Sequence, residues 1–203
     1  STVWVRCRGI VIRNESGQPV RMLGAHTDLT PQKNAEIALQ ESKERFKGIF
    51  NYSKSGIAVY EVKNNGRSFI FKDFNSAAEK IENIRKSEII GRDILDVFPG
   101  VKDFGILDVF RRVWKTGEPE HLPVSMYKDN RILGWRDNFV FKLPTGEIVA
   151  IYSDETEQKR AEQALSESEL KYKTLFKSSI ESLFIIDADT GRCTDCNDST
   201  LNL

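Results

Sequence analysis

Apolar positions recur along the chain with two different periods, and the switches between them mark its elements. After Thr30, residues Ala35, Leu39, Ser42, Phe46 and Ile49 fall at alternating spacings of four and three, among mostly Glu, Lys, Gln and Arg. Ala161, Leu165, Ser168, Tyr172 and Leu175 repeat that spacing after Thr156. A narrow apolar stripe with charged flanks predicts a helix carrying a coiled-coil seam, weakened here by its Ala and Ser positions. Thr30 precedes Pro31, a residue favoured at the first helical position, so Thr30 is the predicted N-cap. Thr156, followed by Glu157, takes the same place in the second helix. At ~22 residues, each helix would form a rod ~33 Å long.

Between the two helices the pattern predicts strands at 56–62 and 68–71, joined by a turn at Asn64, Asn65 and Gly66. Asn75 then caps a short helix carrying Ala77, Ala78, Ile81 and Ile84. Ser87 and Asp93 are expected to open two further short turns. A longer helix is expected over 103–116, with Ile106, Val109, Phe110, Val113 and Trp114 on one face, ended by Gly117 and Pro119. Three strands follow, over 121–128, 131–143 and, after a turn at Pro144-Thr145-Gly146, 147–153. In 121–128, Leu122, Val124 and Met126 alternate with His121, Pro123, Ser125 and Tyr127. In 131–143, Trp135, Phe139, Phe141 and Leu143 share a face with Asp137, while Arg136, Asn138 and Lys142 face away. This order predicts an α+β fold: a five-stranded antiparallel sheet with short helices on one face, flanked by long linker helices.

The chain also repeats itself. Residues 26–50 and 152–176, offset by 126 positions, are identical at roughly half of them. Such a period is the length of one compact domain plus a connector. The expected organisation is the C-terminal strands of a preceding module (1–29), a linker helix (30–50), a complete module (51–154), a second linker helix (155–178) and the first strands of a following module (179–203). Either end, with ~25 residues, is too short to bury a core of its own and is expected to be poorly ordered unless it pairs with something.

Composition narrows the functional classes. Lys plus Arg and Asp plus Glu number 30 each, so no net field attracts a polyanion, and neither nucleic acid nor a membrane surface is expected as a partner. No apolar run approaches the ~20 residues of a membrane span. Three cysteines, Cys7, Cys193 and Cys196, do not make a disulfide framework, and the cytoplasm is the expected compartment. Cys193 and Cys196 form a lone pair of the CxxC type, read as strand residues.

The apolar alternation puts Phe110, Met126, Trp135 and Phe139 toward a common interior, with Asp137 on the same face. That set reads either as plain core or as the lining of a ligand cavity, in which a buried Asp137 would need a partner.

Two strands, short helices, one helix and three strands, ending in Asp154-Glu155-Thr156 and a charged helix, resemble the PAS sensory domain family. Asp28-Leu29-Thr30 marks the preceding copy, residues 4–24 look like the last strands of such a domain, and residues 168–198 look like the first strands of another. The resemblance implies tandem modules upstream of an output domain, a sensor histidine kinase more often than a diguanylate cyclase. It implies a homodimer through the linker helices, and a core that senses a small molecule or serves only as a dimerisation spacer. It also implies that Asp28, Thr30, Asp154 and Thr156 couple the core to the linker helices.

Catalytic residues are not expected in this chain. His26 and His121 lack the context of a phosphoacceptor, and no Gly-rich nucleotide loop is present. The cofactor is left open. Residues 47–154 contain no cysteine, which excludes cysteine–flavin photochemistry there, and haem is disfavoured because the helix over 103–116 has no histidine and His121 reads as a surface residue.

Overall fold

The computed structural model describes residues 2–201; Ser1 and the final two positions of the expected 179–203 segment lie outside the described residues. In chain order the elements are β1 (Val5–Arg13), β2 (Pro19–Asp28), α1 (Thr30–Tyr52), β3 (Gly56–Lys63), β4 (Ser68–Phe74), α2 (Ser76–Glu82), α3 (Lys86–Ile89), α4 (Ile94–Val97), α5 (Val101–Phe104), α6 (Ile106–Thr116), β5 (Glu120–Lys128), β6 (Leu133–Lys142), β7 (Ile148–Asp154), α7 (Thr156–Ser178), β8 (Phe184–Ile186), β9 (Cys193–Cys196) and α8 (Asp198–Leu201). The five middle strands form one antiparallel sheet in the order β4-β3-β7-β6-β5, as the alternation predicts.

Helices α2 to α6 pack on one face of that sheet. The core between them is largely aromatic: Phe110 of α6 lies 5.0 Å from Tyr60 and 5.1 Å from Phe69, ring centre to ring centre. The β3–β4 turn follows its sequence, with Asn64, Asn65 and Gly66 all at positive φ. Asn75 is the buried hinge of the module. Its side-chain oxygen accepts from the N–H groups of Ala78 (2.8 Å) and Ile57 (2.9 Å), and its amide donates to the carbonyls of Phe50 (2.8 Å) and Ser55 (3.0 Å). One side chain thus caps α2 and fastens the end of α1 to the start of β3.

Several local expectations are corrected. The helix expected over 103–116 is two helices, because Gly105 at φ +84° ends α5 and opens α6. Ser87 lies inside α3 rather than before it. Thr30 and Thr156 are the first helical residues, and the N-caps are Leu29 and Glu155 without a side-chain cap bond; one residue earlier, Asp28 and Asp154 accept the N–H of the threonine two residues on, at 2.8 and 3.0 Å.

The largest correction concerns β5 and β6. Along β6 the buried residues are Gly134, Arg136, Asn138 and Val140, while Leu133 and Phe139 are exposed. Along β5, the register slips between Leu122 and Ser125, so that three steps on β5 match two on β6. This bulge sits at Pro123, which has no N–H to give the ladder, on the edge strand of the sheet. Beyond it Ser125 and Tyr127 face inward and Met126 faces out, the reverse of the simple alternation.

The outer face of the sheet is apolar as well, and this is what misleads a period-two reading. Phe50 at the end of α1 packs there with Val59 and Val149, flanked by Ile57, Phe141, Leu143 and Ile151.

Candidate functional site

Between the inner face of the sheet and helices α2, α4, α5 and α6 lies a cavity of about 60 Å³. One side is hydrocarbon, including Phe74, Phe98, Phe104 and Phe110; the other is polar, formed by Glu82, Arg136 and Asn138 with Tyr152. Of the five residues the sequence places at a cavity, the structure puts only Phe110 there. Met126 and Phe139 are exposed on the opposite face of the sheet. Trp135 and Asp137 share that outer face. Asp137 finds its partner in His121, whose Nε2 is 2.7 Å from Asp137 Oδ1.

The polar side is built around Arg136, whose side chain is 5% exposed. Its Nε donates to Glu82 Oε1 at 3.1 Å, and its Nη1 lies 2.8 Å from Asp154 Oδ1. Burial pushes the Glu82 carboxyl above the usual carboxylate range; the Arg136 guanidinium opposes that shift without reversing it, since Asp154 competes for the same cation. Burial also raises the phenols of Tyr60 and Tyr152, with the Glu82 charge adding to the effect, so both stay protonated and able to donate. The Asn138 Nδ2 is the one buried side-chain N or O atom without a hydrogen-bond partner among the described residues.

Asp154 belongs at once to this site and to the start of α7. Its Oδ1 accepts the N–H of Thr156, and the Thr156 hydroxyl accepts the N–H of Trp135 at 2.9 Å. The Trp135 carbonyl in turn accepts the N–H of Glu155 at 2.9 Å. Gly134 is required at this crossing, since a Cβ there would stand 2.5 Å from Arg136 Nη1 and 2.7 Å from Thr156 Oγ1. A continuous chain of contacts therefore leads from the cavity wall, through Glu82, Arg136 and Asp154, to the first turn of α7.

The same junction is present at α1. Trp4 N–H donates to Thr30 Oγ1 at 2.9 Å, Leu29 N–H donates to the Trp4 carbonyl at 2.8 Å, and Asp28 accepts from Thr30. Its bonds to Thr30 hold the exposed Asp28 carboxyl below the usual range. Strand registers agree as well: Val5 pairs with Asp28 and Cys7 with His26, as Arg136 pairs with Asp154 and Asn138 with Tyr152. Cys7 Sγ lies 3.0 Å from His26 Nδ1, so a thiol and an imidazole meet where the complete module has an amide and a phenol. At the other end, Asn197 repeats Asn75: its oxygen accepts from Leu183 and Thr200 N–H, and its amide donates to the Ser179 and Glu181 carbonyls.

Sequence reasoning missed Glu82, Arg136 and Asn138. Glu82 ends a helix where a carboxylate looks solvated. Arg136 and Asn138 alternate with larger apolar residues that claim the interior by hydropathy alone. The available signal was Gly134, two residues before an arginine on the same face.

An antiparallel five-stranded sheet, short helices on one face and a strand-to-helix junction built on Asp-x-Thr define a sensory type of α+β domain. The profile of the PAS domain family matches residues 54–157, and the chain belongs to that family. The chain is also similar to several solved structures. A domain of a sensory box sensor histidine kinase/response regulator from Geobacter sulfurreducens is 19% identical, with 57% of this chain and 96% of that chain covered and a TM-score of 0.46. The PAS domain of an HTR-like protein from Haloarcula marismortui is 16% identical, covering 57% and 98%, with a TM-score of 0.43. A Rhodobacter sphaeroides LOV protein is 12% identical, covering 62% and 76%, with a TM-score of 0.47. No curated protein matches the chain.

With no cysteine between residues 8 and 192, the cavity has no thiol with which to form a cysteine–flavin adduct. No helix among the described residues is long and apolar enough to cross a membrane.

Proposed function

We propose that this chain is the sensing and relay segment of a multidomain signal transducer, acting in the cytoplasm. Its complete module, 51–154, takes up a small molecule in the cavity and passes the change in occupancy to α7. The observation that carries this reading is the buried Glu82–Arg136–Asp154 bridge, because one end lines the cavity and the other holds the first turn of the outgoing helix. A ligand that alters the Glu82–Arg136 contact changes how firmly Arg136 holds Asp154, and so how firmly α7 is seated on the sheet.

The chain is further read as part of a tandem array. The repeated Trp–Asp-x-Thr junction at α1 and the repeated asparagine clasp at Asn197 support one module before and another after the complete one. The output domain proposed for the parent is a histidine kinase, as family membership suggests. Dimerisation through the linker helices is supported by their exposed stripes: Leu39, Phe46 and Ile49 on α1, and Leu165, Tyr172 and Leu175 on α7, have no cover.

Native mass spectrometry of the chain, before and after mild denaturation, tests both parts. The expected species is a dimer carrying a small additional mass. A monomer would contradict the helix pairing, and a dimer that never takes up added mass would turn the module into a spacer.

A further inference from the structure

We infer that the cavity is built for a small neutral carbonyl compound, of about four or five non-hydrogen atoms, whose oxygen accepts a hydrogen bond from Asn138. This rests on the sensing role proposed above and adds the chemical class of what is sensed.

The Asn138 Nδ2 is buried, lines the cavity and has no partner. A buried donor left unpaired is costly, so an occupant that supplies an acceptor is favoured over one that does not. The charged groups of the wall are already engaged with one another. Arg136 is shared by Glu82 and Asp154. An added anion would stand beside two carboxylates that have one guanidinium between them. An added cation would face that guanidinium and the Asn138 N–H together. Either would also bring a charge into an aromatic enclosure, which is unfavourable without full pairing. A hydroxyl or amine brings a donor that needs its own acceptor, whereas a ketone or aldehyde brings an acceptor alone, matching a site whose orphan is a donor. The size follows from the volume: cavities of ~150 Å³ hold benzene, and about 60 Å³ holds less.

The test follows the side-chain amide signals of Asn138 by NMR in the intact chain, titrated separately with butanone, isopentane, propionate and butylammonium. These probes are similar in size and differ in acceptor and charge. Butanone is expected to saturate and to move the Asn138 amide protons downfield. Isopentane is expected to move only aromatic and methyl signals of the cavity wall. In Asn138→Leu the preference for butanone over isopentane should fall about tenfold. The wild-type amide shifts stand by themselves if that variant does not fold. Tighter binding of propionate or butylammonium, or butanone binding with the Asn138 signals unmoved, overturns the carbonyl assignment and leaves the sensing role intact. If no probe moves any cavity signal, the sensing role fails and the assignment falls with it.

Discussion

Two buried polar residues hold this module together in different ways, and each makes a separate prediction. Asn75 is fully buried and satisfies four backbone groups at the meeting of α1, β3 and α2. Asn75→Ala leaves those groups short of partners and should cost about 3 kcal/mol or more in urea unfolding. Arg136 is the only cation paired with Glu82 and Asp154 among the described residues. Arg136→Met leaves Glu82 buried and unpaired and should cost about 3–5 kcal/mol. Glu82 adds a pH dependence of definite sign. Its folded-state affinity for the proton is raised, so its contribution to stability is full below its unfolded pKa and is lost as pH rises through the folded value. The groups around it, Arg136, Asp154, Asp129, Tyr60 and Tyr152, are present in both forms of the comparison. Thermal unfolding of wild type and Glu82→Gln should therefore show the wild type losing ground steadily as pH rises above about 4.5. A difference independent of pH would contradict it.

At the scale of elements, the legible parts of the sequence were those with a local cause. Asn75, the Asn-Asn-Gly turn and Gly117 at φ +79° do what their residue types dictate, because a cap or a turn is decided within a few positions. The face of β6 was not legible. Its inward residues are Gly134, Arg136, Asn138 and Val140, while Trp135, Phe139 and Phe141 lie on the apolar outer face that meets Phe50 of α1, so hydropathy chose the wrong side. The bulge at Pro123 then reversed the remainder of β5. Trp135, Asp137 and Phe139 were misassigned for the first reason and Met126 for the second. The Asp-x-Thr residues lie at the two strand-to-helix junctions, but neither threonine is an N-cap. The threonine hydroxyls instead clamp the neighbouring strand. Thr156→Val removes the acceptor for the Trp135 N–H and should cost about 1–2 kcal/mol, with faster hydrogen exchange at the Trp135 amide and little change at Phe69 or Phe71 in the core.

Over the whole molecule, the two flanking hairpins echo parts of the central five-stranded unit. The β1–β2 hairpin repeats the register and junction of β6–β7, and the β8–β9 hairpin repeats the clasp that opens β3. Both hairpins are exposed nearly throughout, whereas the complete module has an aromatic core. Replacing Leu39, Phe46, Leu165 and Tyr172 by glutamate leaves that core untouched. It should shift sedimentation from dimer to monomer without changing the unfolding midpoint of the module extrapolated to low protein concentration.

The link from cavity to helix is tested most directly by hydrogen exchange over the first turn of α7, residues 156–160, in wild type and in Glu82→Gln. Among the described residues Glu82 makes no hydrogen bond or ion pair with α7 and reaches it through Arg136 and Asp154. Altered protection is expected at 156–160 and at Trp135 in the variant, with β3 and β4 unchanged. Unaltered exchange at 156–160, with changes confined to α2 and the cavity wall, would contradict the relay.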